Sequence, residues 1–489
     1  MNKACVRAVV CLIGVLMHAC AGDGSDVDAD PRGTVGEWSP VLDAQVLPID
    51  MHALPTGEVM YWQRGDIGDP YPRLWNPTTG TIRTATPPGY DIFCSGHSFL
   101  ADGNLLVTGG HISDLVGLQK AGMYNPFTDS WIPLPDMNAG RWYPTNTTLA
   151  NGDVLVVSGE ITDVPSRVVN ELPQVWQPAS GTWRDLSTAQ LPLPLYPFMY
   201  LASVGWVFNA GPNQITQYLD TSGTGQWIPV AENNYGARFE GSSVMYDDGR
   251  VLVVGGDDDE EGPHAPTSTA EIIDLNVPSP AWRYVAPMAY PRKYHTATIL
   301  PDGRVLVTSG TMSGDFNNAT GAVHAAELWD PQTETWTLLA EMQESRVYHS
   351  NALLLPDGRV LVGGGGQPTS SGEAHAHPTF EIFSPPYLFK GKRPTIGATP
   401  SAVTYGEKFF VETSVAVEIE NVHWIRLPSV THGFDQNQRI NRLSFSQTAG
   451  GLQVAVPSNR NLAPPGHYML FILTKQGVPS EGRIIQITV

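Results

Sequence analysis

The sequence predicts an all-β protein, a seven-bladed β-propeller followed by an immunoglobulin-like β-sandwich. Three observations predict it. One strand–turn–strand pattern recurs seven times, with its turn glycines 44 to 55 residues apart. The composition combines 49 Gly and 41 Pro with only 16% charged residues, which suits short strands and many turns rather than long helices. From about Arg393 the recurring pattern stops and plain apolar–polar alternation takes over.

The first element is an export signal over residues 1–21. Lys3 and Arg7 are its basic part, and Ala8 to Met17 is apolar but too short to span a bilayer. Ala19-Cys20-Ala21 offers a small-residue cleavage site. Met17-His18-Ala19-Cys20 is also an imperfect lipobox, so lipidation of Cys20 is the one membrane attachment expected. The acidic stretch 22–36 reads as a flexible leader. A secreted protein, or a cell-surface lipoprotein, is therefore expected. Of the four cysteines, Cys5, Cys11 and Cys20 fall in or beside the signal, which leaves Cys94 as the single thiol of the mature chain. Under oxidising conditions such a thiol is either buried and inert or consumed in another covalent bond.

The propeller is expected over residues 37–391. Its hairpins read ALPTGEVMYWQRG (53–65), FLADGNLLVTGG (99–110), TLANGDVLVVSG (148–159), YLASVGWVFNAG (200–211), VMYDDGRVLVVGG (244–256), ILPDGRVLVTSG (299–310) and LLPDGRVLVGGG (354–365). A period near 50 residues with a Gly-terminated hairpin fits a kelch-type blade of four strands. Outer strands follow as LWNPTTGTI, MYNPFTDSW, VWQPASGTW and LWDPQTETW, each with an aromatic residue seven places before an apolar or Trp residue. The last blade lacks a Trp-bearing fourth strand after EIFSPPYLF (381–389); GEWSPVL, with Trp38, is expected to supply it and close the ring. Residues 392–489, including PTIGATPSAVTYGEKFFVET and GHYMLFILTKQGVPS, are expected to form the sandwich. The net charge of −20 argues against nucleic acid and anionic membrane surfaces as partners. The run Asp257-Asp258-Asp259-Glu260-Glu261 reads as a solvated loop, because the spacing and Gly of an EF-hand are missing.

Inner strands of a propeller converge on a central channel, so equivalent positions on different blades face one another. Nine residues before the turn glycines stand Cys94, Tyr143, Tyr196, Glu240 and Tyr294; in the last blade, nine back gives His349 and ten back gives Tyr348. Tyrosines there can simply fill the taper. A sole Cys, several Tyr and a His at one level also offer O and N donors, and a tetragonal N,O set suits Cu(II).

Four motifs in this order, DIFCSGHSFLADGNLLVTGGH, RWYPTNTTLANGDVLVVSGE, RVYHSNALLLPDGRVLVGGGG and VTHGFDQNQRINRLSF, resemble the galactose oxidase and glyoxal oxidase family over nearly the whole chain from about residue 36. The resemblance implies a copper radical oxidase with one copper ion, acting on a small aldehyde, alcohol or carbohydrate with O2 and releasing H2O2. It implies Tyr143 as an equatorial ligand joined to Cys94 by a thioether, Tyr348 as axial ligand and general base, and His349 and His432 as the nitrogen ligands. A monomer is the expected form. Galactose oxidases carry a Trp eighteen residues beyond the cross-linked Tyr, stacked over the thioether; here that offset falls on Ile161, so a stacking partner is absent or comes from elsewhere. RWYP and the stretch 195–200 look closer to glyoxal oxidases, and the sugar-binding Arg of galactose oxidases has no clear match, although Arg238 lies near the channel level. Phe93, Tyr196 and Tyr294 are candidate substrate-pocket walls or packing residues. The alternatives are a non-catalytic kelch propeller serving as a binding scaffold and a copper enzyme using its metal only as a Lewis acid.

Overall fold

A computed structural model describes residues 30–66, 69–259, 263–367 and 376–488. The export signal, with Cys5, Cys11 and Cys20, lies outside the described residues, as do Glu260 and Glu261. The end of the expected flexible leader is structured instead: Arg32–Val35 form a helical turn, and the Arg32 guanidinium lies 4.6 Å over the Phe389 ring.

Among the described residues, seven antiparallel sheets contain the recurring hairpin as their inner pair. One of them runs Gly96–Phe99, Leu105–Thr108, Ala121–Asn125, Ser130–Pro133 from centre to rim. The outer motifs pair as their spacing predicts: Trp75 lies opposite Ile82, Tyr124 opposite Trp131, Trp176 opposite Trp183 and Trp329 opposite Trp336. Glu37–Trp38 and Leu42–Asp43 pair with Thr379–Ser384, so the first strands among the described residues complete the last of these seven sheets. Closure of this kind ties the beginning of the propeller to its last blade by main-chain hydrogen bonds.

Two repeated side-chain devices join neighbouring sheets. The fourth-strand tryptophans donate their indole N–H to a carbonyl of the preceding blade: Trp131 to Thr86, Trp183 to Pro135 and Trp336 to Ala286, at 2.7 to 2.8 Å. In the later blades, fully buried Arg–Glu pairs deeper down tie the segment entering a blade to that blade's third strand, as Arg238–Glu271, Arg292–Glu327 and Arg346–Glu381. Each of these glutamates also accepts from two backbone amides of the preceding blade, which satisfies the carboxylate where water cannot reach it.

The sandwich packs a five-stranded sheet on a three-stranded one, with Val411, Trp424, Leu452 and Leu470 in its core. From it, a hairpin enters the propeller. Ser429–Thr431 pairs with Asp50–Ala53, the innermost strand of the first blade, with Thr431 opposite Asp50. The following segment is fixed by amides of other blades: Gln436 Oε1 accepts from His97 N and Asn146 N, and Gln438 Oε1 from Ile299 N.

Candidate metal centre

The counted positions share one unusual backbone conformation. Cys94, Tyr143, Tyr196, Glu240, Tyr294 and His349 all have positive φ, between 43° and 65°. An L-residue costs about 1 kcal/mol or more there, so the ring geometry overrides local preference. Consecutive positions are linked from blade to blade: Tyr143 N donates to Cys94 O at 2.8 Å, Tyr196 N to Tyr143 O at 2.9 Å and Tyr294 N to Glu240 O at 2.8 Å. The shared φ makes His349, nine back, the equivalent of the other ring positions, with Tyr348 one residue earlier.

The ring, together with the inserted hairpin, brings the oxygen and nitrogen donors together. Tyr143 Oη and Tyr348 Oη are 2.6 Å apart. The His432 ring lies 4.4 Å from that of Tyr143 and 4.7 Å from that of His349, centroid to centroid. Each imidazole is oriented from behind. His349 Nδ1 donates to Gly366 O at 3.0 Å; His432 Nδ1 meets Thr431 Oγ1 at 2.7 Å, and that hydroxyl donates to Ile49 O at 3.3 Å. A hydroxyl that spends its one proton on a carbonyl must accept from the imidazole. Both Nε2 atoms then carry bare lone pairs, and both are buried with no hydrogen-bond partner. Burial holds His349 down at about 3 and His432 well below the usual range, and it raises Tyr143 and Tyr348 well above the usual phenol range. Two bare imidazole nitrogens facing two phenol oxygens form an N2O2 donor set that fits a cupric ion. Among the described residues no three His, Cys, Asp or Glu side chains come together to hold a metal, so the two phenol oxygens are essential to this candidate.

Cys94 is fully buried and packs in one cluster with Phe93, Trp142, Tyr143 and Tyr196. Tyr143 is enclosed on both faces. Trp142 stacks at 3.8 Å and 12°, and Tyr196 at 4.5 Å and 23°. Sequence reasoning missed Trp142, having sought the stacking residue eighteen places further on, at Ile161. The signal was present in the bulky residue of RWYP itself. Side chains of adjacent strand residues normally point to opposite faces, but the positive φ at Tyr143 breaks that alternation. The same break lets Tyr348 lie 3.9 Å from its neighbour His349.

A cavity of about 580 Å³ opens over this group, lined among others by Trp142, Tyr143, Tyr196, Tyr294, Tyr348 and His432. Phe316, 60% exposed, covers Tyr348 at 4.6 Å. Tyr196 and Tyr294 are thus cavity walls, whereas Phe93 is not among the lining residues. It is fully buried, its ring packed edge-on against His111 and His349 at 5.2 and 5.6 Å, and these contacts leave it no cavity surface. Arg238 is 1% exposed and committed to Glu271, which removes it from the substrate surface. Asp257, expected in a solvated loop, is buried and bonded to Lys293 Nζ at 2.8 Å, while Asp258 and Asp259 bracket His264.

Known proteins resemble this chain over nearly its whole length. The family described as "Glyoxal oxidase N-terminus" matches residues 74–387, and "Galactose oxidase-like, Early set domain" matches 393–487. A galactose oxidase of Gibberella zeae is 32% identical over 94% of this chain and 71% of its own length. The aldehyde oxidase GLOX of Vitis pseudoreticulata is 32% identical over 81% of this chain and 82% of its own. A solved structure of a fungal alcohol oxidase of the AA5 family, in complex with copper, superposes with a TM-score of 0.86 at 28% identity, over 93% of this chain and 100% of that one.

Proposed function

Because the chain belongs to the galactose oxidase and glyoxal oxidase family, we propose that it is an exported copper radical oxidase of small aldehydes or primary alcohols. The balanced reaction is RCH2OH + O2 → RCHO + H2O2, and a hydrated aldehyde gives the carboxylic acid in the same way. The observation that carries the reading is the meeting of Tyr143, packed with the buried Cys94, and Tyr348 with two buried, unpartnered imidazole nitrogens beneath a cavity.

A copper ion held by Tyr143, Tyr348, His349 and His432 would supply one electron-accepting step and pass the electrons on to O2. The second oxidising equivalent resides on Tyr143, whose thioether to Cys94 makes the ring easier to oxidise and consumes the lone thiol. Formation of that bond joins Cys94 Sγ to the ring carbon beside the hydroxyl, with loss of two hydrogens to the oxidant O2. Trp142 and Tyr196 keep water off both faces of the Tyr143 ring. Tyr348 Oη takes the substrate hydroxyl proton, since it sits 2.6 Å from Tyr143 Oη and faces the cavity.

The cavity wall favours uncharged substrates. Its two cations among the described residues, Lys293 and Arg167, are tied to Asp257 and Glu160, and Glu240 adds negative charge beside Tyr348 and Tyr294. Anionic compounds would meet repulsion there.

The test is peptide mapping of copper-loaded protein together with a peroxide assay on aldehydes, simple alcohols and sugars. A Cys94–Tyr143 peptide lighter by two hydrogens supports the radical reading. A Cys94→Ser variant with full peroxide output would refute it, and a wild-type protein that makes no peroxide from any of these substrates would leave only a scaffold.

A further inference from the structure

Trp142 makes a second contact behind the ring it covers. Its indole Nε1–H donates to His111 Nδ1 at 3.2 Å, and His111 Nε2 faces Asp66 Oδ2 at 3.4 Å. Indole nitrogen can only donate, so His111 Nδ1 must present its lone pair. The neutral imidazole then carries its proton on Nε2, pointing at the carboxylate. Asp66 is held in turn by Arg64, whose Nε and Nη2 reach it at 2.6 and 2.9 Å, and Arg64 Nη1 extends to Asp114 at 2.6 Å. His111 has only 1% of its side chain exposed, whereas Asp66 is 41% exposed. The line therefore runs from the cavity to the surface, with His111 Nε2 buried and meeting the Asp66 carboxylate as a charge contact rather than a formed hydrogen bond.

We propose that His111 is a positioning residue: by accepting the Trp142 indole proton, with its tautomer set by Asp66, it holds the indole flat against Tyr143. Trp142 lines the cavity. Without the acceptor its buried N–H would be left unsatisfied, and the ring would turn toward cavity water to recover a partner. The 12° stack would be lost, and one face of Tyr143 would be opened. The inference rests on the reading of Tyr143 as the oxidised residue, and the experiment separates the two.

The variants, in the full-length protein, are His111→Ala, His111→Asn and Asp66→Asn. The asparagine at 111 keeps an acceptor oxygen near the place of Nδ1. The first readout is the ¹H–¹⁵N indole resonance of Trp142 in metal-free protein, assigned with Trp142→Phe. In His111→Ala the resonance should move upfield and its hydrogen exchange accelerate about tenfold, the worth of one buried hydrogen bond. His111→Asn should restore both, and Asp66→Asn should show a smaller shift in the same direction. The second readout is the lifetime of the Tyr143 radical signal after copper loading and oxidation, expected to fall about tenfold in His111→Ala and to recover in His111→Asn. An indole resonance unmoved in His111→Ala overturns the inference whatever the loaded protein does. A moved resonance with an unchanged radical lifetime overturns it too, because the stack would then not protect Tyr143. A wild-type protein with no Tyr143 radical sinks the oxidase reading and this inference with it, and the metal-free resonance tells that failure from the others.

Discussion

Replacing Gly433 by alanine would put a methyl group where the inserted hairpin has no room. Gly433 has φ +76°, and a Cβ there would lie 2.4 Å from His295 O. Contacts of that kind normally begin near 3.4 Å, so about 1 Å must be found. The carbonyl cannot retreat: His295 is in the buried strand Lys293–Ile299, opposite Ser309. The glycine itself is pinned, since its N–H donates to Asn351 Oδ1 at 3.1 Å and its carbonyl accepts from Ser242 Oγ at 2.6 Å. The displacement must therefore pass to His432, the preceding residue. Second-layer changes of this size typically cost 10- to 100-fold in metal affinity, and about 1 Å of misplacement can cost about 100-fold in rate. Gly450→Ala is the control, with φ +80° and no atom within 4 Å of its Cβ. It should lose about 1 kcal/mol of stability from the left-handed backbone alone and keep its copper affinity. Calorimetric titration of metal-free Gly433→Ala with copper should show affinity weakened at least about tenfold, and the peroxide assay should fall further. Affinity within twofold of wild type, or an equal loss in Gly450→Ala, would refute the argument that this glycine exists to deliver His432.

Three further outcomes follow from the packing. Glu327→Ala leaves the fully buried Arg292 without its partner and exposes two orphaned amides, so urea unfolding should show a loss of about 3–5 kcal/mol. Trp336→Phe removes the 2.7 Å bond to Ala286 O while keeping much of the ring volume, and should cost about 1–2 kcal/mol by the same measurement. His423, buried at the junction with its Nδ1 2.8 Å from Pro301 O, is held by burial at about 4, below its ordinary 6.5. The unfolded chain alone takes up that proton between these values, so the contribution is complete above pH 6.5 and is lost as pH falls to 4. The loss is about 3 kcal/mol, and His423→Gln should flatten that part of the stability–pH curve measured by denaturant titration.

Much of this protein was legible in the sequence because a propeller writes its geometry periodically. The turn glycines marked the seven hairpins, the seven-residue spacing from Trp329 to Trp336 named a true cross-strand pair, and the unpaired GEWSPVL found its place beside Thr379–Ser384. Counting back from those glycines also singled out Cys94, Tyr143 and His349, since equal offsets in equal strands must land at equal depths. Tertiary structure decided what no offset encodes. The positive φ shared by the ring positions turned Trp142 onto Tyr143 and Tyr348 onto His349, against the alternation a strand would impose. Pairing of Ser429–Thr431 with the first blade carried His432 into the channel across some 380 residues of chain. The hydrogen bond from Trp142 to His111 likewise exists only because two neighbouring blades meet there. Repetition fixes positions relative to a blade, whereas contacts between blades and between domains depend on closure of the ring, which is a property of the folded whole.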